Sequence, residues 1–166
     1  SGEAALEAGV EKIKTEWEST KFVVRNYREA KNVWVLGGLE DVMTNLEDHQ
    51  VALQSMIGSR YITGVREEVE SWDARLALLS DTLDEWVSVQ SNWMYLETIF
   101  SAEDIQRQLP TEAAKFQTVD KKWKEVMART AGNPSVLAAV EEGDELLRSF
   151  HSSNILLEEI QKSLEE

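Results

Sequence analysis

Apolar side chains recur at helical spacing along most of the chain. The longest series runs from residue 64 to about Phe100, and its members alternate at intervals of four and three. They are Val65, Val69, Trp72, Leu76, Leu79, Leu83, Trp86, Gln90 and Trp93. This spacing places side chains on one face of an α-helix. We therefore predict one uninterrupted helix here, on the order of 50 Å long at about 1.5 Å per residue.

Shorter apolar series predict the other helices. The first helix runs from Glu3 to about Lys21, and the second ends near Gly58. Ser101 with an acidic residue three positions later resembles a capping box, so we expect a short helix to begin there. Pro110 suits the first turn of the next helix.

A last helix is predicted to begin at Asn133-Pro134. Asparagine is a favoured N-cap residue and proline is favoured at the first helical position. The apolar face that follows consists of Val136, Val140, Leu147, Phe150, Leu157, Ile160 and Leu164.

One region has the composition of β-strands. Residues 22–28 and 32–36 are rich in β-branched and aromatic side chains, and Gly37-Gly38 follows them. This composition favours a short β-hairpin near residues 22–36, with a kinked helix as the alternative. Trp34 and Tyr27 are the aromatic residues that we least expect to be wholly internal.

These elements predict a mainly all-α fold, an elongated antiparallel bundle array of five or six helices with one short hairpin. The long helix could instead be the seam of a dimeric coiled coil. However, its heptad places Trp72, Trp86 and Trp93 on one position, where a two-stranded seam requires smaller β-branched residues. The apolar stripe is also wide, which favours a bundle and a monomer. We expect the aromatic residues Trp72, Trp86, Trp93 and Trp123 to be buried.

The two ends indicate that the chain is part of a longer polypeptide. Ser1-Gly2 looks like a remnant of tag removal, and the last residues remain in helical phase without a stop signal. We expect residues 3–166 to form one helical segment, with candidate points of subdivision near 58–64 and 130–134.

Charge narrows the classes of partner. The chain has 17 basic and 31 acidic residues and a formal net charge of −14. Such a surface repels phosphate backbones and anionic lipid headgroups, so neither nucleic acid nor a membrane is an expected partner. Lys121, Lys122 and Lys124 form a local basic cluster that we interpret as a solvated helix face.

The usual catalytic patterns are missing from the sequence. No G-x-x-x-x-G-K-[ST] loop occurs, the chain has no cysteine, and its two histidines lack metal-ligand spacing. Asp48-His49 could form a base with its orienting carboxylate, but a structural histidine is the preferred interpretation. We predict no catalytic, cofactor-binding or metal-binding residue, and no enzyme activity of this chain itself. Arg60-Tyr61 could face a partner, with an ordinary exposed turn as the preferred interpretation.

The middle of the chain resembles a known family. The segments that carry the resemblance are 46–51, 54–56, 59–61, 93–105, 108–110 and 116–127, including Gln108-Leu109-Pro110 and Trp93-Met94-Tyr95-Leu96-Glu97. They are similar to the second N-terminal region of dynein heavy chains. Asp104-Ile105 and the Gln-Leu-Pro triplet look more like axonemal than cytoplasmic heavy chains.

The resemblance implies a mechanical role. In that family this region belongs to the linker, a helical rod over a ring of AAA+ ATPase modules that turns ATP hydrolysis into displacement along microtubules. It implies contact with the ring of the same heavy chain, only indirect contact with microtubules, and a cytoskeletal location in the axoneme of a cilium or flagellum. ATP and Mg²⁺ would bind elsewhere in the heavy chain. A helical scaffold that docks other subunits of the motor is the alternative.

Overall fold

The computed structural model describes residues 1–166 and contains six α-helices, one 3₁₀ helix and one two-stranded antiparallel sheet. The elements are α1 (Gly2–Ser19), β1 (Val24–Tyr27), β2 (Ala30–Leu36), α2 (Glu40–Ile57), α3 (Arg66–Phe100), α4 (Glu103–Gln108), α5 (Pro110–Gly132), the 3₁₀ helix (Val136–Val140) and α6 (Glu145–Leu164). The predicted mainly all-α fold with a hairpin is confirmed.

Helix α3 is the axis of the bundle. It runs for 35 residues without a break, as the apolar series predicts. Helix α2 packs against its N-terminal half, where Gln54 Nε2 donates to Asp73 at 2.9 Å. Helices α5 and α6 pack against its C-terminal half. There the Trp93 indole N–H donates to Asp120 of α5, and the Gln161 side-chain amide of α6 donates to Asn92. Both groups of helices therefore share one element.

Successive long helices alternate in direction. Gly9 of α1 lies against Met56 of α2, while Trp17 of α1 reaches His49, so these two helices are antiparallel. Helix α6 returns to the direction of α3, because Asn154 bonds Glu85 and Gln161 bonds Asn92 seven residues further along each helix. The prediction of an antiparallel array is confirmed, with α3 and α6 as a parallel pair within it.

The hairpin packs on α3 instead of projecting freely from it. Val24 pairs with Leu36 and Asn26 with Trp34, and the register then changes before Tyr27 pairs with Ala30. Tyr27 lies edge-on to the Trp93 ring with centroids 5.0 Å apart. Tyr27 is buried, so the expectation that it would be among the least internal aromatics is wrong for this residue. Trp34 is half-buried.

Gln90 ties the hairpin to the long helix. Its Oε1 accepts from the Leu36 backbone N–H at 2.7 Å, and its Nε2 donates to the Leu36 carbonyl at 3.0 Å. The side-chain amide thus bonds the outer edge of β2 as another strand would. This explains a glutamine in a series that is otherwise apolar.

Helices α1 and α2 are joined by a buried polar contact. The Trp17 indole N–H donates to His49 Nδ1 at 2.8 Å, and His49 Nε2 lies 3.0 Å from a Glu16 carboxylate oxygen. Because Nδ1 accepts the hydrogen bond from Trp17, the ring proton lies on Nε2, which donates a hydrogen bond to Glu16. His49 is therefore a structural histidine.

The predicted capping box at Ser101 is wrong. Ser101 itself has helical backbone angles and ends α3, and its hydroxyl donates back to the Thr98 carbonyl at 3.5 Å. The N-cap residue of α4 is instead Ala102, whose methyl side chain has no acceptor for a capping hydrogen bond. Pro110 does occupy the first turn of α5, as predicted.

The predicted helix start at Asn133-Pro134 is also wrong. Asn133 ends α5, and the next residues are extended because they pair with the segment between α1 and β1. The Phe22 N–H donates to the Pro134 carbonyl at 2.8 Å, and the Val136 N–H donates to the Thr20 carbonyl at 3.1 Å. This long-range pairing outweighs the local preference for a cap. The last helix begins only at Glu145.

Replacing Gln90 by leucine should lower the free energy of unfolding by about 1–3 kcal/mol. Leucine keeps the apolar contacts of the side chain but leaves the Leu36 N–H and C=O without partners. Urea unfolding followed by circular dichroism measures the effect. Gln117→Leu, at an exposed position of α5, is the matched control. Equal stability of the Gln90 variant and the wild type would contradict the role given to this amide.

Replacing His49 by phenylalanine should also destabilise the chain, by about 1–3 kcal/mol, because the buried Trp17 N–H then has no acceptor. The control is His151→Phe, since His151 is exposed and its hydrogen-bond partner is Glu85, a side chain at the surface of α3. If both variants unfold at the same urea concentration as the wild type, the Trp17–His49 bond adds nothing to the α1–α2 interface.

Candidate functional site

A continuous row of buried aromatic rings joins the hairpin segment to three helices. Neighbouring ring centroids lie 5.0 Å apart for Phe22 and Trp86, 4.9 Å for Trp86 and Phe150, and 6.4 Å for Phe150 and Trp123. The row continues through Trp93, 5.6 Å from Trp123, to Tyr27. We call these six residues the aromatic row: Phe22, Trp86, Phe150, Trp123, Trp93 and Tyr27.

The aromatic row makes the C-terminal half of the bundle stiff. Each ring buries a large apolar area, and tilted or edge-on pairs add about 0.5–1.5 kcal/mol each beyond that burial. All six side chains are buried, including the predicted core residues Trp86, Trp93 and Trp123. Trp72, the remaining predicted core tryptophan, is buried nearer the start of α3. Close packing of this kind resists compression and transmits displacement.

One polar contact fixes the middle of the row. The Trp93 indole N–H donates to Asp120 Oδ1 at 2.8 Å, and Lys124 Nζ lies 2.8 Å from the other oxygen of that carboxylate. Trp93 is thereby held between α3 and α5. Lys124 belongs to the predicted basic cluster, of which Lys121 is exposed and Lys122 is half-buried.

The candidate points of subdivision are both packed. In the turn between α2 and α3, Ile62 and Val65 are buried, and the Val65 N–H donates to the Ile62 carbonyl at 2.9 Å. The segment after α5 is bonded to residues 20–22, as described above.

The residues flagged for possible chemistry lie apart from one another. Both ring nitrogens of His49 are engaged by Glu16 and Trp17, so Asp48, which is exposed, does not orient it. Arg60 stacks on Tyr61, with its guanidinium carbon 4.8 Å from the ring centroid, and donates to the tyrosine oxygen at 2.5 Å. Tyr61 is exposed on the turn between α2 and α3. That this pair meets a partner stays a prediction.

A cleft of about 350 Å³ opens between α5 and the start of α6. Its walls include Phe22 and Trp86 from the aromatic row, and its rim carries Glu142 and Glu145. A hydrogen bond that the protonated Glu142 carboxyl donates to Glu145, together with the repulsion between the two carboxylates, raises the pKa of Glu142 above its ordinary value. Sequence reasoning missed this cleft, because it is formed where the residues after Asn133 leave the helical conformation.

No cluster of three or more histidine, cysteine, aspartate or glutamate side chains has an arrangement that could hold a metal ion. None of the helices is both long and apolar enough to span a lipid bilayer.

The whole chain is similar to known proteins of one kind. Residues 1–166 match the family described as dynein heavy chain, N-terminal region 2. The chain is 46% identical over 166 residues to dynein axonemal heavy chain 6 of Homo sapiens, covering 99% of this chain. It is 37% identical to dynein axonemal heavy chain 12 of Rattus norvegicus and 36% identical to dynein axonemal heavy chain 3 of Mus musculus, each over 164 residues and 99% of this chain.

The relatives are far longer than this chain. It spans 4% of the length of the human and mouse proteins and 5% of the rat protein. The similarity confirms the resemblance to axonemal dynein heavy chains that was inferred from the sequence for nearly the whole chain, including the regions before residue 20 and after residue 130 where the resemblance is weakest. The chain belongs to the dynein heavy chain N-terminal region 2 family.

Proposed function

We propose that this chain is a stiff segment of the linker of an axonemal dynein heavy chain, which transmits conformational changes of an AAA+ ring to displacement along microtubules. The observation that carries the proposal is the combination of family membership with an unbroken α3 that both halves of the bundle share. A lever must move as one body, since internal bending would dissipate the displacement.

The packing supports this role. The 33 buried apolar residues form one continuous cluster from Val10 in α1 to Ile160 in α6. The turn at 58–64 is held by the buried side chain of Ile62 and a backbone hydrogen bond from Val65, and the segment at 130–134 is held by the backbone hydrogen bond from Phe22 to Pro134. Bending is therefore expected outside residues 3–160, where the chain meets neighbouring parts of the heavy chain.

The remaining parts of the proposal follow from the same assignment. The chain would carry no catalytic site, and ATP and Mg²⁺ would bind in the AAA+ ring of the same heavy chain. Contact with microtubules would be indirect, and the location would be the axoneme of a cilium or flagellum. The relatives named as axonemal heavy chains support that location.

A scaffold that docks other subunits is the second candidate. Tyr95, on the outward face of α3, is 60% exposed, and Val51, on α2, is 70% exposed. Large apolar side chains at the surface are common contact residues in protein interfaces. They are isolated here and do not form a broad patch, which favours the lever.

The lever is tested in a parent heavy chain with a flexible glycine-serine insertion directly after Leu164. This insertion leaves the bundle intact but uncouples it from the following residues. We expect microtubule gliding velocity to fall severalfold while ATP hydrolysis continues. The same insertion between Arg28 and Glu29, at the hairpin turn, is the control and should leave gliding unchanged.

Unchanged gliding with the insertion after Leu164 would contradict the lever. The scaffold is examined separately with Tyr95→Ala, which removes an exposed ring without touching the core. If this variant loses associated subunits while the insertion variant glides normally, the scaffold assignment replaces the lever.

A further inference from the structure

The hairpin is a basic region on an acidic protein. Residues 21–36 contain four basic side chains, Lys21, Arg25, Arg28 and Lys31, and one acidic side chain, Glu29. The whole chain, by contrast, has 17 basic and 31 acidic residues. We call residues 21–36 the basic hairpin.

The basic side chains of the hairpin have no acidic partner within the chain. All four residues are exposed, and none of them forms an ion pair. Elsewhere, by comparison, Lys115 pairs with Glu159 and Lys124 with Asp120. Arg28 lies over the Tyr27 ring, 4.9 Å from its centroid. The positive charge of the basic hairpin is therefore directed to solvent.

The turn places a cation in an unfavourable backbone conformation. Arg28 has φ 54°, and it is the one non-glycine residue with a positive φ. Glycine would adopt this conformation without steric cost, whereas an arginine is strained there. Positions of this kind are concentrated at binding sites.

One backbone edge of the hairpin is occupied at Phe22, whose N–H is bonded to Pro134, but is open along β1. The Gly37 N–H donates to the Val23 carbonyl at 2.7 Å, so by strand alternation the N–H and C=O groups of Val24 and Asn26 point away from β2. No third strand pairs with β1. The opposite edge differs, since Gln90 bonds the outer groups of Leu36. An extended peptide could therefore add to β1.

We propose that the basic hairpin binds an acidic protein segment, which lies in extended form along the free edge of β1. Carboxylates of the segment would meet Arg25, Arg28 and Lys31, and its backbone would bond Val24 and Asn26. This interaction is separate from the proposed lever function and does not depend on it.

The charge of the remaining surface favours a short peptide over an extended polyanion. Outside the basic hairpin, the chain carries 30 of its 31 acidic residues. A nucleic acid or an anionic membrane would bring many negative charges within the screening distance of this surface, which is about 8 Å at physiological ionic strength. A peptide that spans only β1 avoids that repulsion.

The test is an NMR titration of the ¹⁵N-labelled chain with a synthetic peptide of alternating glutamate and threonine. The indole N–H of Trp34, in β2, reports on the hairpin, and those of Trp86 and Trp123 report on the core. We expect shifts at Trp34 and at residues 23–27, with binding weakened at high salt. The same peptide with glutamine in place of glutamate should not bind.

Charge removal provides the matched comparison. Arg25→Gln, Arg28→Gln and Lys31→Gln together should weaken binding at least about tenfold, because charge pairs across an interface are lost. Lys12→Gln, Lys14→Gln and Lys162→Gln remove the same charge away from the hairpin and should leave binding unchanged. Arg28→Gly alone keeps the turn folded and should weaken binding to a smaller degree.

Three results would overturn the proposal. One is the absence of binding by the wild type, in which case the charges serve to protect an exposed strand edge from pairing. Another is equal loss of binding in the two triple variants, which indicates unspecific attraction. The third is tighter binding to a single-stranded oligonucleotide or to vesicles containing phosphatidylserine than to the acidic peptide, which assigns the hairpin to a different class of partner.

Discussion

The structure depends on one constraint: the two halves of helix α3 pack against different partners. Helix α2 occupies its first half, and α5, α6 and the hairpin occupy its second half. Most of the stability of a helix in a protein comes from the packing of its apolar face, so these partners stabilise α3. In return, α3 holds the two groups of helices in a fixed relation. The aromatic row is part of that packing, with Trp86 and Trp93 supplied by α3 itself.

Directional bonds decide which side chains meet across the helices. The indole N–H groups of Trp17 and Trp93 have acceptors on neighbouring helices, His49 and Asp120. By contrast, those of Trp86 and Trp123 are buried without a partner in the chain. An unpaired buried donor costs free energy, typically about 1–3 kcal/mol, so the row is held there by apolar contact alone. Trp86 also lines the cleft between α5 and the start of α6.

Much of the fold could be predicted because its signals are local. The unbroken apolar series predicts α3, and Pro110 marks the start of α5. The helix start predicted at Asn133-Pro134 is wrong because the backbone there pairs with residues 20–22, more than a hundred positions earlier. A local sequence pattern cannot show such a long-range contact. The burial of Tyr27 could not be predicted for the same reason, because Tyr27 packs against Trp93, which is distant in the sequence.

The candidate sites, like the fold, could be predicted from the sequence only in part. The charge of the basic hairpin can be read from residues 21–36, but the absence of ion pairs to Arg25, Arg28 and Lys31 depends on where the acidic helices lie. The role of Gln90 also depends on the tertiary structure. A polar amide in an otherwise apolar series has no explanation until the structure shows that it bonds Leu36. The family resemblance implies a mechanical role, and the packing supplies a physical reason why this segment could perform it.

Native-state hydrogen exchange on the isolated chain tests the central claim, that the two groups of helices form one stiff body. The slowest amides of α1 and α2 should exchange with the same opening free energy as those of α5 and α6, equal to the free energy of global unfolding. A distinctly lower value for one group, with protection kept in the other, would mean that the halves open independently. In that case the shared α3 would not couple them, and the chain would be a poor lever.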